Sequence, residues 1–206
     1  MRRVYLLSCL IIINVLICES VTAQVSLSPY LSMLNSAGGS KNIKLFGAGA
    51  AVKYNIRQQL QLELDLSVFP SQNSTEQPGF VTLHYTNSVA AAELGLQYFL
   101  LKRDAKLNPF IGIGTGISIA KQDLTVSTAF TKSDYSQSNS GFIVSPKAGL
   151  TCTLNNQLAL LFKIQYVAAT VGSKSKTIGY TVTGEPVVLA PVSSYIKSGL
   201  GVTFSF

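Results

Sequence analysis

The segment His84-Tyr85-Thr86-Asn87 carries the one histidine of the sequence, two residues before a hydroxyl. In extended backbone that spacing sets both side chains on one face, where an imidazole base can activate a hydroxyl as a nucleophile. Such a pair also needs an acid to orient the ring. The nearest acid downstream, Glu93, lies nine residues on and falls on the opposite face. His84 and Thr86 are therefore the catalytic candidates, weighed against a plain polar place at the rim of the fold, which the missing acid favours. One histidine and three cysteines, two of them in a leader described below, do not furnish the usual metal sets. Gly112-x-Gly114-x-Gly116 repeats at every second residue, a strand rhythm rather than a phosphate cradle, and no Walker loop or nucleotide fingerprint is present. Neither a cofactor nor a nucleic-acid partner is expected.

The elements that must position these residues begin behind that leader. Arg2 and Arg3 precede an apolar run from Val4 to Ile17, and Val21-Thr22-Ala23 supplies small residues for cleavage before Gln24. This predicts a signal peptide over 1–23 and one domain over 24–206. The run is shorter than the roughly 20 apolar residues of a membrane anchor. Cys18 follows Ile17, where a lipoprotein signal requires a small residue, so lipidation is not expected. Losing Arg2, Arg3 and Glu19 takes the 16 basic and 9 acidic residues to 14 and 8, net +6. Cys152 is then the last cysteine, with no disulfide partner, and reads as a small apolar strand residue.

The chain is 47% apolar and only 12% charged, an unusual balance for a soluble exported domain. No mature segment has the uninterrupted apolar length of a spanning helix. A membrane location would have to come from strands. Eight alternating segments can be marked: Val25 to Leu34, Ile43 to Ile56, Gln59 to Phe69, His84 to Leu100, Pro109 to Leu124, Gly141 to Leu154, Gln157 to Thr170 and Ser194 to Phe206. The second, fourth and sixth connections are short or compact. The other four (Asn35 to Asn42, Pro70 to Leu83, Thr125 to Ser140, Val171 to Ser193) are mostly long and rich in Ser, Thr, Asn, Gly and Lys. Short turns at one end and long loops at the other predict an all-β, eight-stranded antiparallel up-and-down transmembrane β-barrel.

Alternation alone leaves open which face is lipid, and a soluble barrel with an apolar ligand cavity is the rival. Its solvated face would be rich in Lys and Glu. Here the polar face is small and sparsely charged, with Gly47, Gly49, Ala51, Gly112, Gly114, Gly116, Ser118 and Ala120 on it. Small residues suit the crowded interior of a narrow barrel. The charges on that face have both signs: Glu63, Asp65 and Glu93 against Lys53, Lys147, Lys163 and Lys197. Buried charges need partners, which predicts a network of pairs filling the lumen, where an unpaired lysine costs roughly 3–5 kcal/mol. The apolar face carries Phe46, Phe142 and Tyr166 near the long loops and Tyr54, Tyr98 and Phe206 near the short turns, candidates for two aromatic girdles.

With these features the chain resembles the eight-stranded outer-membrane barrels of Gram-negative bacteria, the OmpA transmembrane and OmpX type, over essentially all of Gln24 to Phe206. The end of the chain is its most specific element: Gly201-x-x-Phe204-x-Phe206 is similar to the family's C-terminal signal. The resemblance implies recognition of that strand by the barrel-assembly machinery, residence in the outer membrane among its lipids and lipopolysaccharide, and loops available to an extracellular ligand. It implies no peptidoglycan-anchoring domain beyond Phe206. Lys41, Lys44, Lys132, Lys174 and Lys176 lie in or beside the long loops, where they could attract lipopolysaccharide phosphates, though solvated lysines are the more ordinary case. His84-x-Thr86 is similar to the His-x-Ser motif of outer-membrane lipid A deacylases, with Thr in place of Ser and an earlier strand position. Three functions follow: a non-enzymatic barrel serving envelope structure or surface adhesion, which the absence of catalytic constellations favours; a narrow pore, which a side-chain-filled lumen opposes; and a deacylase-like enzyme using His84.

Overall fold

The computed structural model describes residues 25–37, 43–102, 105–169, 176–180 and 186–206. The expected signal peptide, Lys41 and Lys174 lie outside these residues. Among the described residues ten strands are formed: β1 (Val25–Ser36), β2 (Lys44–Asn55), β3 (Leu60–Glu76), β4 (Thr82–Phe99), β5 (Leu107–Ser127), β6 (Lys132–Thr153), β7 (Leu158–Ala169), β8 (Lys176–Tyr180), β9 (Pro186–Leu189) and β10 (Tyr195–Ser205). Eight of them close an antiparallel barrel in the order β1-β10-β7-β6-β5-β4-β3-β2, and β8 and β9 form a separate hairpin. Closure is made by β1, which pairs with β2 on one side and β10 on the other. The Phe206 amide continues that seam by donating to the Val25 carbonyl at 3.0 Å. A closed ladder leaves no unpaired edge, the condition for a sheet in lipid.

Side chains alternate across the wall as the period of two requires. On β3, Leu62, Leu64, Leu66 and Val68 point out while Gln61, Glu63, Asp65 and Ser67 are buried inside. On β5, Ile111, Ile113, Ile117 and Ile119 are each more than half exposed. The six girdle aromatics also point outward, Phe46 at 63% and Phe206 at 78% exposure. An apolar exterior around a charged interior is the reverse of a soluble barrel and fits a hydrocarbon surround.

The short connections are tied locally. Asn155 Oδ1 accepts from the amides of Gln157 and Leu158, both at 2.9 Å. The Asn108 side chain accepts from the Leu101 amide and donates to the Leu101 and Lys102 carbonyls. At the other end two expected loops are corrected. Most of Pro70 to Leu83 and Thr125 to Ser140 is strand: β3 and β4 continue to a turn at 77–81, and β5 and β6 to a turn at 128–131. Gly79 takes the left-handed φ of +68° that the first turn requires. The second is closed by the Thr128 amide on the Thr131 carbonyl at 2.8 Å. The last long loop contains the β8–β9 hairpin, whose Leu189 is buried with Leu83, Tyr85 and Leu124 in a small core above the barrel. Val187 packs against the same core.

One irregularity interrupts the extended β3–β4 ladder, while β5 and β6 extend without one. The β3–β4 register jumps between Phe69↔Val89 and Gln72↔Asn87, so one extra residue stands on β3. Phe69 turns fully inside, and the Gln72 side chain then pairs with the Phe46 backbone, accepting from its N–H at 3.1 Å and donating to its carbonyl at 2.6 Å.

Candidate functional site

The lumen has three storeys, each built from inward positions of several strands. Toward the long-loop end, Leu34, Leu45, Phe69, Val89, Ile143, Val167, Val192 and Tyr195 form an apolar plug. The last loop is fixed over it where the Ala190 amide donates to Gln122 Oε1 at 2.8 Å.

Below the plug the seven charged residues named from the sequence gather in one cluster. Glu63 accepts from Lys147 Nζ at 2.6 Å and Gln97 Nε2 at 2.5 Å, with Lys53 Nζ at 3.8 Å. Asp65 accepts from Lys163 and Tyr30 and is 3.3 Å from Lys197 Nζ. Glu93 is 3.0 Å from Lys197 and also accepts from Ser145 and Gln165. Lys197 further donates to Ser67 Oγ at 3.3 Å. Glycines make room for these side chains: a Cβ on Gly95 would stand 2.7 Å from Lys147 Nζ, and one on Gly114 2.7 Å from Ser145 Oγ.

The sequence reading missed Tyr30. It lies on the inward face of β1, its hydroxyl on Asp65 Oδ1 at 2.5 Å and its ring 3.7 Å beneath the Lys163 ammonium, a cation–π contact. In register it stands between Gly49 on β2 and Gly201 on β10, and a Cβ at either glycine would run into it. Gln97, Ser145 and Gln165 were missed as well. Gln97, Ser145 and Gln165 share the parity of Glu93, Lys147 and Lys163 on their own strands, a signal present in the sequence, whereas β1 carries no charged residue to mark Tyr30.

His84 and Thr86 point outward on the projecting part of β4, and neither is placed to activate the other. The hydroxyl on His84 Nδ1 is that of Thr75, at 2.9 Å, while Thr86 Oγ1 donates to Asn73 Oδ1 at 2.8 Å. Glu93 is buried in the lumen. In place of the candidate His–Thr pair stand two cross-strand pairs, as the polar-rim alternative has it. Among the described residues no three His, Cys, Asp or Glu side chains gather as a metal site.

A closed barrel with a lipid-facing exterior and a polar interior narrows the kinship, and the sequence profile of the outer membrane protein beta-barrel domain matches residues 20–184. The chain belongs to that family. This outer-membrane β-barrel protein is similar in fold to Ail, the attachment invasion locus protein of Yersinia pestis, solved with the heparin analogue sucrose octasulfate (TM-score 0.53, 11% identity, 89% of this chain and 99% of that one). Neisserial surface protein A matches with a TM-score of 0.50 at 15% identity over 90% of this chain and 98% of that one. OprG of Pseudomonas aeruginosa gives 0.55 at 10% identity over 89% and 96%. No curated protein matches the sequence. By the family's geometry the short turns of the barrel are periplasmic and the extended hairpins extracellular.

Proposed function

We propose that this outer-membrane barrel is a non-enzymatic surface protein that presents its extracellular hairpins for attachment. The observation that carries the reading is the pair of phenylalanines at the hairpin tips, Phe80 at 95% and Phe130 at 96% exposure. Each sits on a laddered stalk rather than a free loop, with the small core around Leu83, Tyr85 and Leu124 bracing both. Large aromatics held rigid and fully solvated are anchors at low entropic cost. Exposed lysines at 44, 132 and 176 stand at the same end and suit an anionic surface, whether lipopolysaccharide phosphate or a sulfated saccharide of the kind Ail holds.

Against hydrolysis stands the pairing of His84 with Thr75, and against a pore the plug and ion-pair storeys. Delivery is assigned to the signal peptide over 1–23, and assembly to the C-terminal strand with Gly201, Phe204 and Phe206. The test displays the protein on cells and measures binding to immobilised extracellular-matrix protein and to heparin. Phe80→Ser with Phe130→Ser should abolish adhesion at unchanged barrel abundance, and adhesion equal to wild type would overturn the reading. Release of fatty acid from lipid A by purified wild-type protein, lost in His84→Ala, would replace it with the enzyme.

A further inference from the structure

The third storey of the lumen is open to the short-turn end as a cavity of about 530 Å³, within the roughly 300–1,000 Å³ usual for a small-molecule site. Its inner wall includes Lys53, which is buried. The cluster around it holds four ammonium groups and three carboxylates, and Lys53 is the most weakly paired of the four, its ion pair with Glu63 being the longest in the cluster. Its nearest carboxylate, at 3.8 Å, is already engaged by Lys147 and Gln97. A buried charge in that state calls for an anion.

Two further groups on the wall are unanswered. Gln61 Oε1 and Thr151 Oγ1 are buried without a hydrogen-bond partner, although Gln61 Nε2 is spent on Asn55 Oδ1 at 2.8 Å. Gln61 itself is 6% exposed. Opposite polarity comes from Phe99, whose ring is held against Phe110 with centroids 5.5 Å apart. One deep cation, unpaired acceptors facing a wall of amides and hydroxyls, and one aromatic face are complementary to a sugar ring carrying a carboxylate. A neutral sugar leaves Lys53 weakly paired, and a simple anion leaves the acceptors and the ring unanswered.

We propose that the periplasmic mouth of this barrel binds a carboxylated saccharide, its carboxylate on Lys53 and its hydroxyls donating to Gln61 Oε1 and Thr151 Oγ1. Two sources share that chemistry, an acidic amino sugar of cell-wall type and a free hexuronic acid. The site is at the opposite end from the adhesive hairpins and stands independently of them.

The test titrates the detergent-folded, isotope-labelled barrel with N-acetylmuramic acid, glucuronic acid, glucose and acetate, following the side-chain amide resonances of Gln61 and Asn108. Saturable shifts are expected with the acidic sugars, with binding roughly tenfold or more weaker for glucose and for acetate. The tighter of the two acids identifies the source. Lys53→Met should reduce acidic-sugar binding to the level of glucose, and Thr151→Val, which removes no existing hydrogen bond, should weaken both acids while keeping their preference over glucose. A gel shift on boiling confirms that each variant is folded. No saturable shift with either acid, equal binding of glucose, or indifference to Lys53→Met in a folded barrel would overturn the proposal.

Discussion

Asp65 is held from three sides, by Tyr30, Lys163 and Lys197, and removing its charge leaves two ammonium groups competing for what remains. Asp65→Asn is expected to destabilise the barrel by about 3–5 kcal/mol, because the loss exposes buried charge without a partner. Tyr30→Phe removes one charge-assisted bond and should cost about 1.5–3 kcal/mol. Urea unfolding of the detergent-folded barrel measures both, and the double variant should cost less than the sum, since the two residues share one bond. Equal, additive and small effects would mean the cluster is solvated. Gly49 offers a steric counterpart: Gly49→Val places methyl groups on the Tyr30 ring and the β3 backbone. Its expected outcome is loss of refolding yield, restored in part by Tyr30→Ala, read by gel mobility without boiling.

The projecting hairpins are elements with their own stability. Leu189 joins β9 to Leu83, Tyr85 and Leu124, so Leu189→Ala should undock the β8–β9 hairpin at a local cost of about 2–5 kcal/mol. Limited proteolysis should then cut near that hairpin while the barrel still resists unboiled detergent. Loss of that resistance would show that the upper core supports the barrel itself. These same hairpins mark the limit of what the sequence disclosed. Below them lipid and lumen impose opposite demands on alternate residues, so Leu62 to Val68 on β3 and Ile111 to Ile119 on β5 announce their strands, and the charged lumen residues could be picked out by parity. In the hairpins themselves water replaces lipid on the outer side, and Ser71 to Glu76 or Ser133 to Ser140 carry no apolar outward face to read. Tyr30 stayed hidden because its reason lies in Gly49 and Gly201, distant in sequence and adjacent only after closure. Thr75 stayed hidden because the irregularity after Phe69 reverses which side of β3 it occupies.

As a whole the molecule is a wall with a filled interior: an apolar plug, a charged layer and a vestibule that ends beneath it. Purified protein in planar bilayers is expected to give no conductance of the size of a wide porin. Steady porin-sized steps would mean that the plug around Tyr195 and Val192 withdraws. Boiling should shift gel mobility, as closure of all eight strands requires, and Phe204→Ser should reduce the amount of that species in the outer membrane if the final strand is the assembly signal. The extra residue between Phe69 and Gln72 has a consequence for how such a molecule can change. Inside and outside are written along a strand as a two-letter code, and this residue is a frameshift placed just beyond the last lipid-facing leucine and valine of β3. Downstream text can be rewritten, lengthened or shortened up to the β4 partner without moving a single letter of the passage that lies in the membrane.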